Sequence, residues 1–142
     1  MSKFNGNAIT WFEVPTTDIG RAVDFYETVL DRKLTQFPGE EPCFMFPASE
    51  GSVAGALIHR PNHNPAVHGA MVYLNVDGEL DNVLARAHKI EGTVQLPKTQ
   101  IPGGYGFYAC LIDSEGNHIG LHSRYKPSTK LRVAHSSRAF AG

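Results

Sequence analysis

Seven histidines and two cysteines are the side chains of this 142-residue sequence that could bind a transition metal or act as nucleophiles. Their spacing decides what they can do. His118 and His122 share one face of a stretch that reads as a strand. At ~3.3 Å per residue they stand about 13 Å apart, too far to ligate one ion. His59, His63 and His68 fall around a turn-rich segment, where His59 and His63 could converge through a loop; surface or hydrogen-bonded histidines are the plainer reading. Cys43 and Cys110 sit singly in apolar strands, which points to buried reduced thiols rather than a disulfide. No Ser-His-Asp or Cys-His arrangement stands out. Gly103-Gly104-Tyr105-Gly106 lacks the Lys-Ser/Thr and the helix of a phosphate loop, and reads instead as a mobile loop that could carry Tyr105 over a site.

The elements that must position these residues are written twice. Ser49-Glu50-Gly51 returns as Ser114-Glu115-Gly116, with a further Gly at the same offset (Gly55 and Gly120). Ser-x-Gly marks a turn, because Gly supplies positive φ and Ser bonds its local backbone. Before the first copy, Ile9 to Val14 is β-rich and ends at Pro15. Thr17 or Asp18 can cap a helix whose stripe is Ile19, Val23, Tyr26 and Leu30. Leu34 to Phe37, Cys43 to Phe46 and Val53 to His59 then read as strands. After a linker from Arg60 to Pro65 the plan restarts. Met71 to Val76 is a strand; Leu80, Val83, Leu84, Ala87 and Ile90 give a helix stopped near Gly92. Thr93 to Leu96 ends at Pro97, and Phe107 to Ile112 and Asn117 to Ser123 complete the set. The spacing therefore predicts an α+β protein of two tandem β-α-β-β-β modules, at about 8–62 and 67–124, followed by a basic tail at 125–142.

Composition bounds the function. The length suits one domain, and 42% hydrophobic with 19% charged residues is the balance of a soluble globular protein. A formal net charge of −1 gives no electrostatic case for nucleic acid or an anionic membrane. No apolar run approaches the roughly 20 residues that span a bilayer. The N-terminus lacks the apolar core of a signal peptide, so a cytoplasmic protein is expected.

Trp11-Phe12-Glu13-Val14-Pro15-Thr16-Thr17-Asp18 with Arg21-Ala22-Val23-Asp24-Phe25-Tyr26 resembles the opening of vicinal oxygen chelate proteins, the glyoxalase, bleomycin-resistance and dioxygenase superfamily. Leu96-Pro97-Lys98-Thr99, Gly104-Tyr105-Gly106 and Asp113 to Ser123 are similar to its glyoxalase-like branch. The resemblance spans residues 9 to 124 and implies paired modules whose mixed sheets curl into a cup with the helices outside. It also implies a site on the inner faces of each module's first and last strands, where metal-using members carry His, Gln or Glu. Carried over, those positions are Ile9, Gly55, Met71 and Gly120, none of which offers a suitable donor. No metal or other cofactor is therefore expected, and lactoylglutathione lyase activity is disfavoured.

If Ile9 faces inward, as the resemblance implies, alternation along strands turns Trp11 and Glu13 inward too, with Met71, Tyr73 and Asn75 from the second module and His118 and His122 from the last strand. An apolar, aromatic cavity with few polar groups suits a small molecule. Trp11 could stack on a flat ligand, or serve as core. Glu13 could be a general base raised by apolar walls, with His122 as its acid–base partner, or could simply pair with an Arg or Lys or bond Tyr73 or His122. The expectation is a metal-independent small-molecule binder, homodimeric because a cup leaves edges and apolar surface for a second chain. The alternatives are a glyoxalase-like lyase or isomerase using Glu13 and His122, or a metal enzyme whose ligands lie in another register.

Overall fold

The computed structural model describes Phe4 and residues 6–124. The tail at 125–142 lies outside the described residues. The order of elements is β1 (Trp11–Pro15), α1 (Ile19–Leu30), β2 (Thr35–Gln36), β3 (Cys43–Met45), β4 (Ala54–Ile58), β5 (Tyr73–Asn75), α2 (Leu80–Lys89), β6 (Thr93–Gln100), β7 (Phe107–Ile112) and β8 (His118–Ser123). The two β-α-β-β-β modules are thus present, each with one helix.

Each module folds into its own four-stranded sheet, ordered β1-β4-β3-β2 and β5-β8-β7-β6. In both, the first strand runs parallel to the last and the remaining pairs are antiparallel. The sheets remain two and do not close on each other. β1 and β5 are edge strands. Their edges sit on opposite modules.

Local chemistry sets the helices. Asp18 caps α1, its carboxylate accepting from the Arg21 amide at 3.0 Å. Ala22, Tyr26, Val29 and Leu30 form the buried stripe of α1; Leu80, Val83, Leu84 and Ala87 form that of α2. The helices pack on each other. Arg86 of α2 donates from Nε to the Val29 carbonyl at 2.9 Å, satisfying a carbonyl that the end of α1 leaves free. Both stripes join one core with Val14 and Leu57 of the first sheet and Leu74, Leu111, Ile119 and Leu121 of the second. Burying each large aliphatic side chain contributes about 1.5–3 kcal/mol.

Pro97 does not end its strand: β6 continues through it to Gln100. β6 is an edge strand, and its pairing with β7 shifts register between Leu96 and Thr99. An edge with an irregular ladder has no need of the amide that proline lacks.

Candidate functional site

With one face of each sheet packed on the shared core, the other face is free to bind. Phe12, Val14 and Leu57 point to the core, leaving Trp11, Glu13 and Ile58 on the open face of the first sheet. Leu74 and Leu121 point to the core of the second, leaving Tyr73, Asn75, Gly120 and His122 on its open face. The parallel register sets Trp11 beside Ala54 and Tyr73 beside Gly120.

On the first sheet a hollow of about 750 Å³ is lined by Trp11, Phe37, Cys43, Met45 and Ile58, with Glu13, Glu40, Glu41 and Arg60 as its charges. Trp11 is 42% exposed. Arg60 organises the polar side: it donates to Glu13 at 2.7 Å and to Glu41 at 3.0 Å. The Trp11 indole N–H donates to Glu13 at 3.1 Å. The Arg60 hydrogen bond outweighs partial burial and, with that from Trp11, holds the Glu13 carboxyl below its ordinary range. The apolar walls therefore do not raise it, and Glu13 is a carboxylate already committed to a cation. That geometry matches the ion-paired role.

The second open face carries a separate hollow of about 540 Å³, lined by Tyr73, Thr99, Gln100, Ile101, Pro102, Tyr108 and His122. It shares no lining residue with the first. The Tyr73 and Tyr108 rings are 6.2 Å apart. The Tyr73 ring lies over Gly120, where a Cβ would fall 2.3 Å from it, so only glycine admits that pose. His122 Nε2 is 2.9 Å from the Tyr105 carbonyl. A carbonyl only accepts, so Nε2 carries the proton. This bond ties the glycine-rich turn to the hollow, while the Tyr105 ring is 69% exposed.

One chain thus separates residues that the sequence suggested would share a cup. Trp11 and Glu13 line one hollow; Tyr73 and His122 line the other. Among the described residues, Glu13 bonds Arg60 and His122 bonds the Tyr105 carbonyl. Asn75 lines neither of these hollows, its side chain accepting from the Asp77 amide at 2.9 Å. Met71 precedes β5 and Ile9 precedes β1, so neither stands in the paired part of a strand. His118 sits opposite Ile112 at the start of β8, and among the described residues its buried Nε2 has no hydrogen-bond partner.

Arg60 is the important residue that the sequence reading passed over. Alternation along β4 and past its end puts residues 56, 58 and 60 on one face, and Glu13 is the register partner of Ala56. That pattern could have found it.

The donor chemistry does not fit the metal that many such folds use. On the open faces the paired positions of first and last strands include Trp11 with Ala54 and Glu13 with Ala56 in one sheet, and Tyr73 with Gly120 and Asn75 with His122 in the other, so each sheet brings a single His or carboxylate to them. Among the described residues, no three His, Cys, Asp or Glu side chains converge to hold an ion.

The chain belongs to the glyoxalase/bleomycin resistance protein/dioxygenase superfamily, whose pattern it matches over residues 8–121. Solved structures agree. A glyoxalase/bleomycin resistance protein from Streptomyces sp. CB03234 is 27% identical, over 79% of this chain and 96% of that one, with a TM-score of 0.58. An antibiotic-binding protein from the same Streptomyces strain is 23% identical, over 88% of this chain and 99% of that one, with a TM-score of 0.56. A lactoylglutathione lyase from Agrobacterium tumefaciens is 20% identical, over 83% and 94%, with a TM-score of 0.58. No curated protein matches the sequence.

Proposed function

We propose that this chain binds a flat organic molecule on the open face of its first sheet, against Trp11, without a metal and without turning it over. The observation that carries this reading is the Glu13–Arg60 contact at 2.7 Å, which commits the only acidic side chain of β1 to a structural pair. What remains exposed in that hollow is an aromatic surface of Trp11 and Phe37, backed by Met45 and the buried Ile58. Indole and phenyl faces bind flat rings by offset stacking. Three carboxylates against one guanidinium at the rim favour neutral or cationic ligands over anions. The antibiotic-binding protein that shares this fold supports the same direction.

In this reading the protein works as a cytoplasmic homodimer. A second copy covers the open sheet faces and shields the ligand from water. The exposed Trp11, Phe37, Tyr73 and Tyr105 are the apolar surface such a contact would bury.

Trp11 is the sole tryptophan, so its fluorescence reports this hollow alone. A panel of planar aromatic compounds, neutral and cationic, is titrated into the metal-stripped protein. Saturable quenching with the compound recovered unchanged is expected. Recovery of a product, or binding that returns only when Zn²⁺, Ni²⁺, Fe²⁺ or Mn²⁺ is added, overturns the proposal.

A further inference from the structure

We propose that the cleft between the two modules is a second ligand site, one that takes an organic anion with an apolar body and recognises its carboxylate through Arg32. The cleft has a volume of about 560 Å³ and is formed by the approach to β1, the start of β4 with the segment before it, and β5. That size lies within the range of small-molecule pockets, about 300–1,000 Å³. It shares no lining residue with the Trp11 hollow.

Part of its wall is apolar. Phe12 and Phe46 pack with ring centroids 5.7 Å apart on the first module, and Val72 and Tyr73 face the cleft from the second. Gly55 is part of the construction: a Cβ there would fall 2.3 Å from the Phe12 ring, so glycine lets the ring lie flat on β4 and leaves the space beside it open.

Its charges are unbalanced in one direction. Asp77 is the acidic residue of the lining, and Arg124 already engages it, the backbone amide at 2.7 Å and Nη2 at 2.8 Å. Arg32 is the basic residue. It donates from Nη1 to the Asn75 carbonyl at 2.9 Å, and among the described residues no carboxylate pairs with it. That single bond orients the guanidinium, and the rest of its five-donor fork is left for a ligand. A carboxylate is the group such a fork fits, bidentate and charge-assisted. Ser49 and Ser52 on the lining supply neutral hydrogen-bonding groups.

The test is a ¹H–¹⁵N NMR titration of the full chain with naphthalene-2-carboxylate, and with 2-naphthylmethanol as its uncharged counterpart. Saturable shifts at the Gly55, Val72 and Asn75 amides are expected, with the carboxylate binding at least about tenfold more tightly than the alcohol. Arg32→Gln is expected to weaken the carboxylate by a similar factor and leave the alcohol unchanged, and Arg32→Lys to restore part of the difference. The acid–alcohol comparison on the native chain stands even where a variant fails to fold. Equal affinity for the two compounds overturns the proposal, as does no saturable shift at millimolar ligand or undiminished carboxylate binding by a folded Arg32→Gln. Shifts that follow protein concentration instead of ligand identify a second copy as the occupant and also overturn it. The Trp11 indole signal reports its own hollow, which the uncharged naphthyl compound is expected to occupy with a separate saturation curve, so failure at the Gly55, Val72 and Asn75 amides leaves the Trp11 reading standing.

Discussion

Glu115 Oε2 lies 2.7 Å from Arg21 Nε, and this contact fastens the last turn of the second module to the first helix of the first. The Glu115 side chain is fully buried. Its Oε1 also accepts from the Thr17 and Asp18 amides at 2.9 Å each. Burial opposes the charged form, but Arg21 and those two amides outweigh it and bring the carboxyl down to about 2. A carboxylate from one module thus completes the helix start of the other, which locks the relative placement of the two sheets.

That depressed pKa makes the protein sensitive to acid in a defined window. A carboxyl lower in the folded than in the unfolded chain contributes stability that is fully present above the unfolded value near 4.5 and is lost as pH falls toward about 2. Because Arg21 is half exposed, the contribution is put at about 2 kcal/mol, less than the shift alone implies. Urea denaturation from pH 7 to pH 2 should show wild type losing stability across this window. Glu115→Gln should start about 2 kcal/mol lower at pH 7 and decline less steeply. Parallel curves for the two proteins would sink the assignment.

Tyr26 tests the same junction without a net charge change. Its hydroxyl donates to Asp113 Oδ2 at 2.6 Å, both groups buried, while Asn117 donates to the same oxygen at 3.0 Å and to the Pro15 carbonyl at 2.8 Å. Tyr26→Phe keeps the ring that packs edge-on against Phe46 and removes one donor from a buried carboxylate. The expected cost is about 2 kcal/mol, read as a lower denaturation midpoint at unchanged m-value. A cost below about 0.5 kcal/mol would mean that water reaches Asp113 and replaces the phenol.

The modules, both helices and the sidedness of the first strands were legible in the sequence because each rests on short-range periodicity. Val14 and Val76 are core, and Trp11, Glu13 and Tyr73 are not, as alternation requires. The register of the last strands was not legible. Aligning the two Ser-Glu-Gly turns pairs Gly55 with Gly120, yet Gly55 lies beside Phe12 on the core face and Gly120 beside Tyr73 on the open face. The true counterpart of Gly120 is Ala54, the partner of Trp11. The lengths of the turns before β4 and β8 differ, and a one-residue slip moves a side chain to the opposite face. The distribution of the site residues over two hollows was equally hidden, since it depends on how the modules pack and not on any one strand.

The two glycines predict a contrast. Gly55→Ala drives a methyl into the half-buried Phe12, which is held by Phe46 and the core, so the strand or the ring must shift; about 1–3 kcal/mol of destabilisation is expected. Gly120→Ala meets Tyr73, which is 51% exposed and can swing toward solvent. Its stability cost should be smaller, and the change should appear in the Tyr73 and Tyr108 ring signals of the second hollow. Thermal unfolding of the two variants side by side checks the order. Equal costs would mean that Tyr73 is held more tightly than its exposure suggests.

Arg60 separates structure from function most cleanly. Its guanidinium is the leading cause of the low Glu13 pKa, so Arg60→Gln should raise the Glu13 titration midpoint toward its ordinary value near 4.5. Carbon-detected NMR of the Glu13 carboxyl measures it directly, and the Trp11 indole N–H, which donates to Glu13 Oε2, should titrate in step. Losing the cation also leaves Glu13, Glu40 and Glu41 without a neutralising partner in the hollow. A cationic aromatic compound should then quench Trp11 at several-fold lower concentration than in wild type, while a neutral one of the same shape is little affected. The opposite outcome, weaker binding of both, would assign Arg60 a direct contact with the ligand, and a midpoint unmoved by Arg60→Gln would remove the ion pair as the reason Glu13 is a poor base.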